Sequence, residues 1–320
     1  LPSAMSTKWW GGSCTLAGFG AVGSDGGPWM DRRMFVAGLM VGCSGCFRRK
    51  KELTVGSKEF TEQTLLGEII SEHLERRLGA RVRRRLNLSG TLLAEQALLA
   101  GEIEMYPEYS GAALTEILKD PIDTDPAVVL DRVRLEYRRT LRMEWLSPLG
   151  MDSRPVLVMR ADDAARHHLE TISDAVGVEG YWRLGAGHEF LSGPDGYAAL
   201  TAGYTFDWVT GEKNLDPDPR YKALQENQVN IIAGNATDGR LLHGNFKVLV
   251  DDKSVFPPYQ ACVVARSGAL EAAAGLRPAL EELAGKFNSE KMQKMNYEVD
   301  VARLRATDVA AEFLRQAGLG

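Results

Sequence analysis

The chain has 320 residues, 44% hydrophobic and 25% charged, with a formal net charge of −5, an ordinary globular composition with room for two domains. The mild acidic excess gives no basis for nucleic-acid binding, which needs a basic face. No repeat of 20–50 residues is present, which argues against a solenoid.

Residues 1–29 are Gly-rich, begin with Leu1 and carry Trp9, Trp10 and Trp29 without periodicity. They read as an upstream extension, with Met30 as the natural start. From there Asp31-Arg32-Arg33, an apolar run Met34–Gly42 and small residues around Cys43 and Cys46 make an export signal. The run is far shorter than the roughly 20 residues that span a bilayer. Gly42-Cys43 and Gly45-Cys46 each offer a lipobox, in which the cysteine becomes the lipidated first residue, and Met40 puts Cys43 ahead of Cys46. A plain secretory signal and a Cys-x-x-Cys pair are the alternatives, the pair lying outside any βαβ context. Residues 1–52 are thus assigned to extension, signal and tether.

Thr54-Val55 run into Gly56-Ser57, and Leu65, Leu66, Ile69, Ile70, Leu74 and Leu78 follow at helical spacing until Gly79. This strand–loop–helix unit puts Lys58 at a turn where a helix N-terminus offers N–H groups to a ligand. Taken alone, a lysine there is more often merely solvated. Arg81-Val82-Arg83-Arg84-Arg85 reads as a strand with a solvated side. A helix pattern covers Thr91–Ala100, Ile103 and Met105 alternate as a strand ending at Tyr106-Pro107, and Asp125-Pro126 starts a helix running to about Glu144.

Pro155–Met159 begins a second domain, continued by the strand Leu184–Ala186, a helix from Asp195 to Ala202, a strand near Phe206–Val209, the helix Pro219–Asn227 and the strand Asn230–Ala233. After Lys247–Val250, the strand Ala261–Ala265 returns to the first domain, with Cys262 a buried small apolar residue. Three helices close the chain, the last capped by Thr307 with Asp308 in its first turn. Alternating strands and helices predict mostly parallel sheets.

Gly56–Gln63, Asn87-Leu88-Ser89-Gly90-Thr91 and Gly101–Gly111 are followed in order by Glu189-Phe190, Asp195-Gly196, Thr237-Asp238-Gly239, Asp251-Asp252-Lys253 and Phe256-Pro257-Pro258-Tyr259. Over about residues 53–320 this series resembles the substrate-binding proteins of glycine betaine/choline/osmoprotectant ABC transporters. The resemblance implies an α/β type II periplasmic-binding-protein fold, two lobes around a ligand cleft with crossings near Asp152–Pro155 and Val255–Tyr259. Lobe I is then 53–154 and 259–320, and lobe II is 155–258. It also implies a solute receptor without catalysis or cofactor, exported, serving a separate permease and ATPase. A ligand sensor of the same fold is the alternative. An enzyme is disfavoured on the residues themselves: His73, His167, His168, His188 and His243 are scattered, with no metalloprotease, hydrolase or phosphate-loop motif.

A quaternary ammonium donates no hydrogen bond, so a protein selects it with aromatic faces in a desolvated box. By the resemblance Tyr109 and Tyr259 fall on two of the family's box tyrosines, and Lys58 on a lysine that holds the ligand carboxylate in some members. Other family positions differ: Pro155 and Asn235-Ala236 stand where tyrosines are expected, Gly193 where an arginine is, and Ala112 where a threonine is. Two lost cation–π contacts would weaken a simple betaine by about 5-fold to 1000-fold, unless Phe60 or Trp208 fills the gap. With Asn235 as an added donor and acceptor and Arg154 a cation at the crossing, the expected ligand carries more polar or anionic surface than glycine betaine. Asp238 either caps the following helix or faces the cation.

Overall fold

The computed structural model describes residues 52–178, 182–206 and 213–320. The signal, the Cys43 and Cys46 lipidation sites, Trp208 and the expected strand beyond Phe206 lie outside the described residues. Lobe I is built on a five-stranded sheet ordered β2-β1-β3-β10-β4. Its chain path runs β1 (Glu52–Lys58), α1 (Thr61–Leu78), β2 (Arg81–Leu88), α2 (Gly90–Leu99), β3 (Met105–Tyr109), α3 (Ser110–Ala112), a π-helical turn (Ala113–Ile117), α4 (Pro126–Glu136) and β4 (Met143–Trp145).

The chain then forms lobe II through β5 (Pro155–Arg160), α5 (Ala161–His167), α6 (Ile172–Val176), β6 (Leu184–Ala186), α7 (His188–Ser192), α8 (Tyr197–Gly203), β7 (Lys213–Asn214), α9 (Pro217–Gln225), β8 (Ile231–Asn235), a 3-10 turn (Gly239–Leu242) and β9 (Phe246–Leu249). The lobe II sheet is ordered β7-β6-β8-β5-β9. β10 (Ala261–Arg266) returns to the first sheet, and α10 (Ser267–Ala272), α11 (Leu276–Glu281), α12 (Ser289–Asp300) and α13 (Ala306–Gln316) follow. Four helices, rather than three, close the chain.

Both sheets are mixed, against the expectation of mostly parallel pairing. β1 pairs in parallel with β2 and β3, and β6 with β7 and β8. The strands next to the two crossings, β5 and β10, run antiparallel to both their neighbours. A strand that enters a sheet from the other lobe has no helical crossover to orient it, so the βαβ rule does not govern it.

The central strands β1, β3 and β10 are buried along nearly their whole length, as strands covered on both faces must be. α1 lays Leu65, Leu66, Ile69, Ile70 and Leu74 into the core with Met292, Met295, Val309 and Leu314 of the closing helices, and Gly79 ends it at φ 59°. β2 is an edge strand whose arginines are taken up locally, Arg84 by Glu68 and Glu75 and Arg83 by Thr54.

Several helix boundaries differ from the reading above: α8 runs Tyr197–Gly203 and α9 Pro217–Gln225, and two further helices differ in how they end or are capped. α4 is capped by Asp125, which accepts from the Ala127 and Val128 amides, but stops at Glu136; a π turn (Tyr137–Leu141) then leads to β4. Thr307 lies inside α13, whose N-cap is Arg305 without a side-chain cap; Asp308 is in the first turn and pairs with Arg305.

Candidate ligand-binding site

The site forms where β1 and β3 end side by side. β1 delivers Lys58 and the following turn Phe60; β3 delivers Glu108 and Tyr109; and Tyr259 stands just ahead of β10, whose Ala261 is paired with Tyr109. Phe60 stacks on Tyr109 at 6.3 Å and Tyr109 on Tyr259 at 5.8 Å between ring centroids. Near-parallel rings at such spacing do not overlap fully, so a cation meets this column at the open parts of its ring faces, where the quadrupole is negative. Gly111 makes the column possible, because a Cβ there would lie 2.5 Å from the Tyr259 ring and 2.8 Å from the Pro258 carbonyl oxygen.

Lys58 is only 4% exposed. Its ammonium donates to Glu108 Oε1 at 2.6 Å and Thr91 Oγ1 at 3.1 Å and lies 4.8 Å from the Tyr109 centroid and 5.9 Å from that of Phe60. Three donors on an ammonium leave one N–H beyond these two bonds, while Glu108 balances its charge.

The tyrosine hydroxyls are tied down by carboxylates. Tyr109 donates to Glu62 Oε1 at 2.6 Å, and Tyr259 donates to Asp195 Oδ2 at 2.7 Å, which also accepts from Thr115 Oγ1 at 2.7 Å. Asp195 belongs to lobe II and Thr115 to lobe I, so this carboxylate bridges the cleft. Burial and these anions push both tyrosine hydroxyls far above their usual range, so both stay protonated and donate. Glu116, in the π turn after α3, has its carboxyl raised to about 7 by desolvation; Lys58 opposes the shift, and Glu108, Asp195 and Glu189 add to it. A π turn next to Tyr109 is itself a frequent mark of a functional site.

The remaining predicted residues sit apart from the ring column. Arg154 is engaged by Asp152, its Nη2 2.6 Å and its Nε 3.2 Å from Oδ2, while Asp152 Oδ1 accepts the Tyr259 amide at 3.0 Å. Asn235, exposed, ends β8 directly opposite Pro155 of β5. The two family tyrosine positions that differ here are therefore cross-strand neighbours. Asp238 caps the 3-10 turn, accepting from the Arg240 amide and guanidinium.

Glu62, Glu108, Thr115 and Glu116 were not foreseen from the sequence. One signal was available for Glu108: a carboxylate in the otherwise apolar-facing strand Met105–Tyr109 requires a buried cation, and Lys58 is the one at the adjoining strand end. Among the described residues no group of three or more His, Cys, Asp or Glu is placed to hold a metal ion, and no helix is long and apolar enough to cross a membrane.

Two mixed α/β sheets joined by two crossings, with aromatic and carboxylate side chains where the lobes meet, define a two-lobed solute receptor. Residues 51–316 match the family model described as the substrate binding domain of ABC-type glycine betaine transport systems, and the chain belongs to that family, whose members bind solutes and are not enzymes. It is 31% identical over 272 residues to the carnitine transport binding protein OpuCC of Listeria monocytogenes, covering 83% of this chain and 87% of that one. It is 28% identical to the glycine-betaine-binding protein of Pseudomonas aeruginosa, covering 88% and 94%. It is also 31% identical to the ergothioneine transport permease/ergothioneine binding protein EgtU of Helicobacter pylori; there the match covers 84% of this chain but 48% of the relative, about half its length. Among solved structures, a glycine betaine/carnitine/choline ABC transporter structure superposes with a TM-score of 0.73 at 26% identity, covering 84% of this chain and 99% of that one.

Proposed function

We propose that this chain is the extracytoplasmic receptor of an importer, closing on a small quaternary-ammonium solute whose charged head rests against Tyr109 and Tyr259. The observation that carries this reading is the cation already lying over the Tyr109 face, Lys58 Nζ at 4.8 Å, within the range in which ring quadrupoles attract positive charge. Phe60 extends the platform. Arg154 acts on the site through Asp152, which holds the Tyr259 backbone, and Asn235 and Asp238 belong to the lobe II rim. A separate permease and ATPase complete the importer, and a lipid on Cys43 or Cys46 tethers the receptor to the membrane, as the Gly-Cys pairs after the apolar run support.

The electrostatics refine the ligand. Lys58 is balanced by Glu108 and Arg154 by Asp152, Glu62 and Asp195 add further carboxylates, and Glu116, its carboxyl raised to about 7, is only partly ionised near neutral pH. This departs from the polar or anionic ligand expected from sequence, because the cations that were to meet an anion are engaged by carboxylates of the protein. A net-cationic head such as choline therefore binds more tightly than the zwitterions glycine betaine and carnitine. Calorimetric titration of the three, with ergothioneine as a fourth, tests this. Choline is expected to bind at least tenfold more tightly than glycine betaine; the reverse order overturns the refinement, and no binding by any of them overturns the ligand class.

A further inference from the structure

The loop between β8 and the 3-10 turn is seated on α12 of lobe I. Gln293 Nε2 donates to the Ala236 carbonyl oxygen at 2.7 Å, Arg240 Nη1 lies 3.2 Å from Asp300 Oδ2, and a Cβ on Gly239 would fall 2.2 Å from the Tyr297 nitrogen. One contact in this seam differs in kind. The Asn296 Nδ2 group gives one bond to the Thr237 carbonyl oxygen of lobe II at 2.8 Å and one to Glu62 Oε2 of lobe I at 3.1 Å. The other oxygen of Glu62 takes the Tyr109 hydroxyl at 2.6 Å, and Thr237 Oγ1 bonds Ser153 Oγ at 2.7 Å, next to the first crossing.

Glu62, Tyr109, Ser153, Thr237 and Asn296 are all buried. Two acceptors on one amide nitrogen fix the orientation of the Asn296 side chain, since its oxygen has nothing to donate to either. That orientation leaves Asn296 Oδ1 buried without a hydrogen-bond partner among the described residues, a cost that calls for a compensating role.

We propose that Asn296 is a positioning residue that couples the aromatic platform to lobe closure, through the relay Tyr109–Glu62–Asn296–Thr237. Its consequence for ligand affinity rests on the platform reading of Tyr109 given above. When Tyr109 is held by Glu62, the second carboxylate oxygen is oriented to accept from Asn296, whose remaining hydrogen is then aimed at lobe II. Opening the lobes breaks the last bond and leaves a carbonyl and an amide to be solvated. Gln293 forms a neighbouring interlobe bond with no connection to Glu62, and so separates coupling from mere adhesion.

The test is a double-mutant cycle in the full chain with choline as probe, alongside small-angle X-ray scattering of each unliganded variant. Asn296→Ala is expected to weaken choline about tenfold or more and to enlarge the radius of gyration. Combined with Tyr109→Phe, which keeps the ring but removes the hydroxyl, it should cost no more than the worse single change, whereas Gln293→Ala with Tyr109→Phe should be additive. If Asn296→Ala does not fold, Asn296→Leu, close in size but without a donor or a charge, replaces it. Parent-like affinity in the Asn296 variant, or additivity of its pair, overturns the relay. If choline does not bind the parent, the ligand reading falls, and scattering alone decides the relay: equal radii overturn it, and a larger radius in the variant supports it.

Discussion

Beneath the binding platform, Glu95 of α2 is a carboxylate held among rings. Tyr106 donates to its Oε2 at 3.0 Å and Tyr137 at 3.5 Å. Burial raises its carboxyl to about 7 against an ordinary 4.5, the tyrosine bonds opposing and the Glu108 charge adding to the rise. Because the folded state holds the proton more tightly, this stabilisation is complete below about pH 4.5 and is lost as pH rises through 7. Glu95→Gln mimics the protonated acid and keeps an acceptor for Tyr106. It should be more stable than the parent at pH 8 by about 1–3 kcal/mol and nearly equal to it at pH 5, as denaturant unfolding at the two values would show. Equal stability at pH 8 would mean that the carboxylate is solvated there.

At this scale the sequence disclosed the rings and the lysine but not their partners. Lys58, Tyr109 and Tyr259 have a chemistry that marks them within their motifs, whereas Glu62, although inside Gly56–Gln63, and Glu116 look like the solvated carboxylates of any helix. Only the three-dimensional approach of α1, β3 and the π turn turns them toward the cleft. Arg154 illustrates the reverse case, a cation placed correctly at the crossing whose local partner, Asp152, was two residues away.

The decisive element is the short α3 and its π turn, which carries the chain from Tyr109 past the Tyr259 ring. Its helical backbone approaches that ring so closely that only glycine fits at position 111. Gly111→Ala should push Tyr259 out of register with Tyr109, weaken ligand binding by tenfold or more and destabilise the fold by about 1–3 kcal/mol. Calorimetry with a melting curve checks both, and an unchanged affinity would remove Tyr259 from the platform. Most strands and helices of the described residues were legible from periodicity, because apolar runs and spacing survive in any context. Punctuation is what periodicity hides: apolar residues continue past the end of α4 through a π turn that shifts the helical phase, and Thr307 looks like a cap although Arg305 holds that position. The antiparallel pairing of β5 and β10 was likewise hidden, since orientation follows from which lobe a strand enters rather than from its own residues.

For the molecule as a whole, two sheets are joined by two crossings, and the lobes are held together by directional contacts such as Asp195 to Thr115 and Tyr259, Asn296 to Thr237, Gln293 to Ala236, and Arg240 to Asp300. A receptor that closes through hydrogen bonds rather than a broad apolar interface reopens at modest cost, as delivery of a solute requires. The central claim is that a quaternary ammonium is held by the ring column, and it is tested most directly by titrating choline calorimetrically into the parent and into Tyr109→Ala. Saturable one-to-one binding to the parent and at least a hundredfold loss in the variant are expected. Equal binding by the two proteins would contradict the claim.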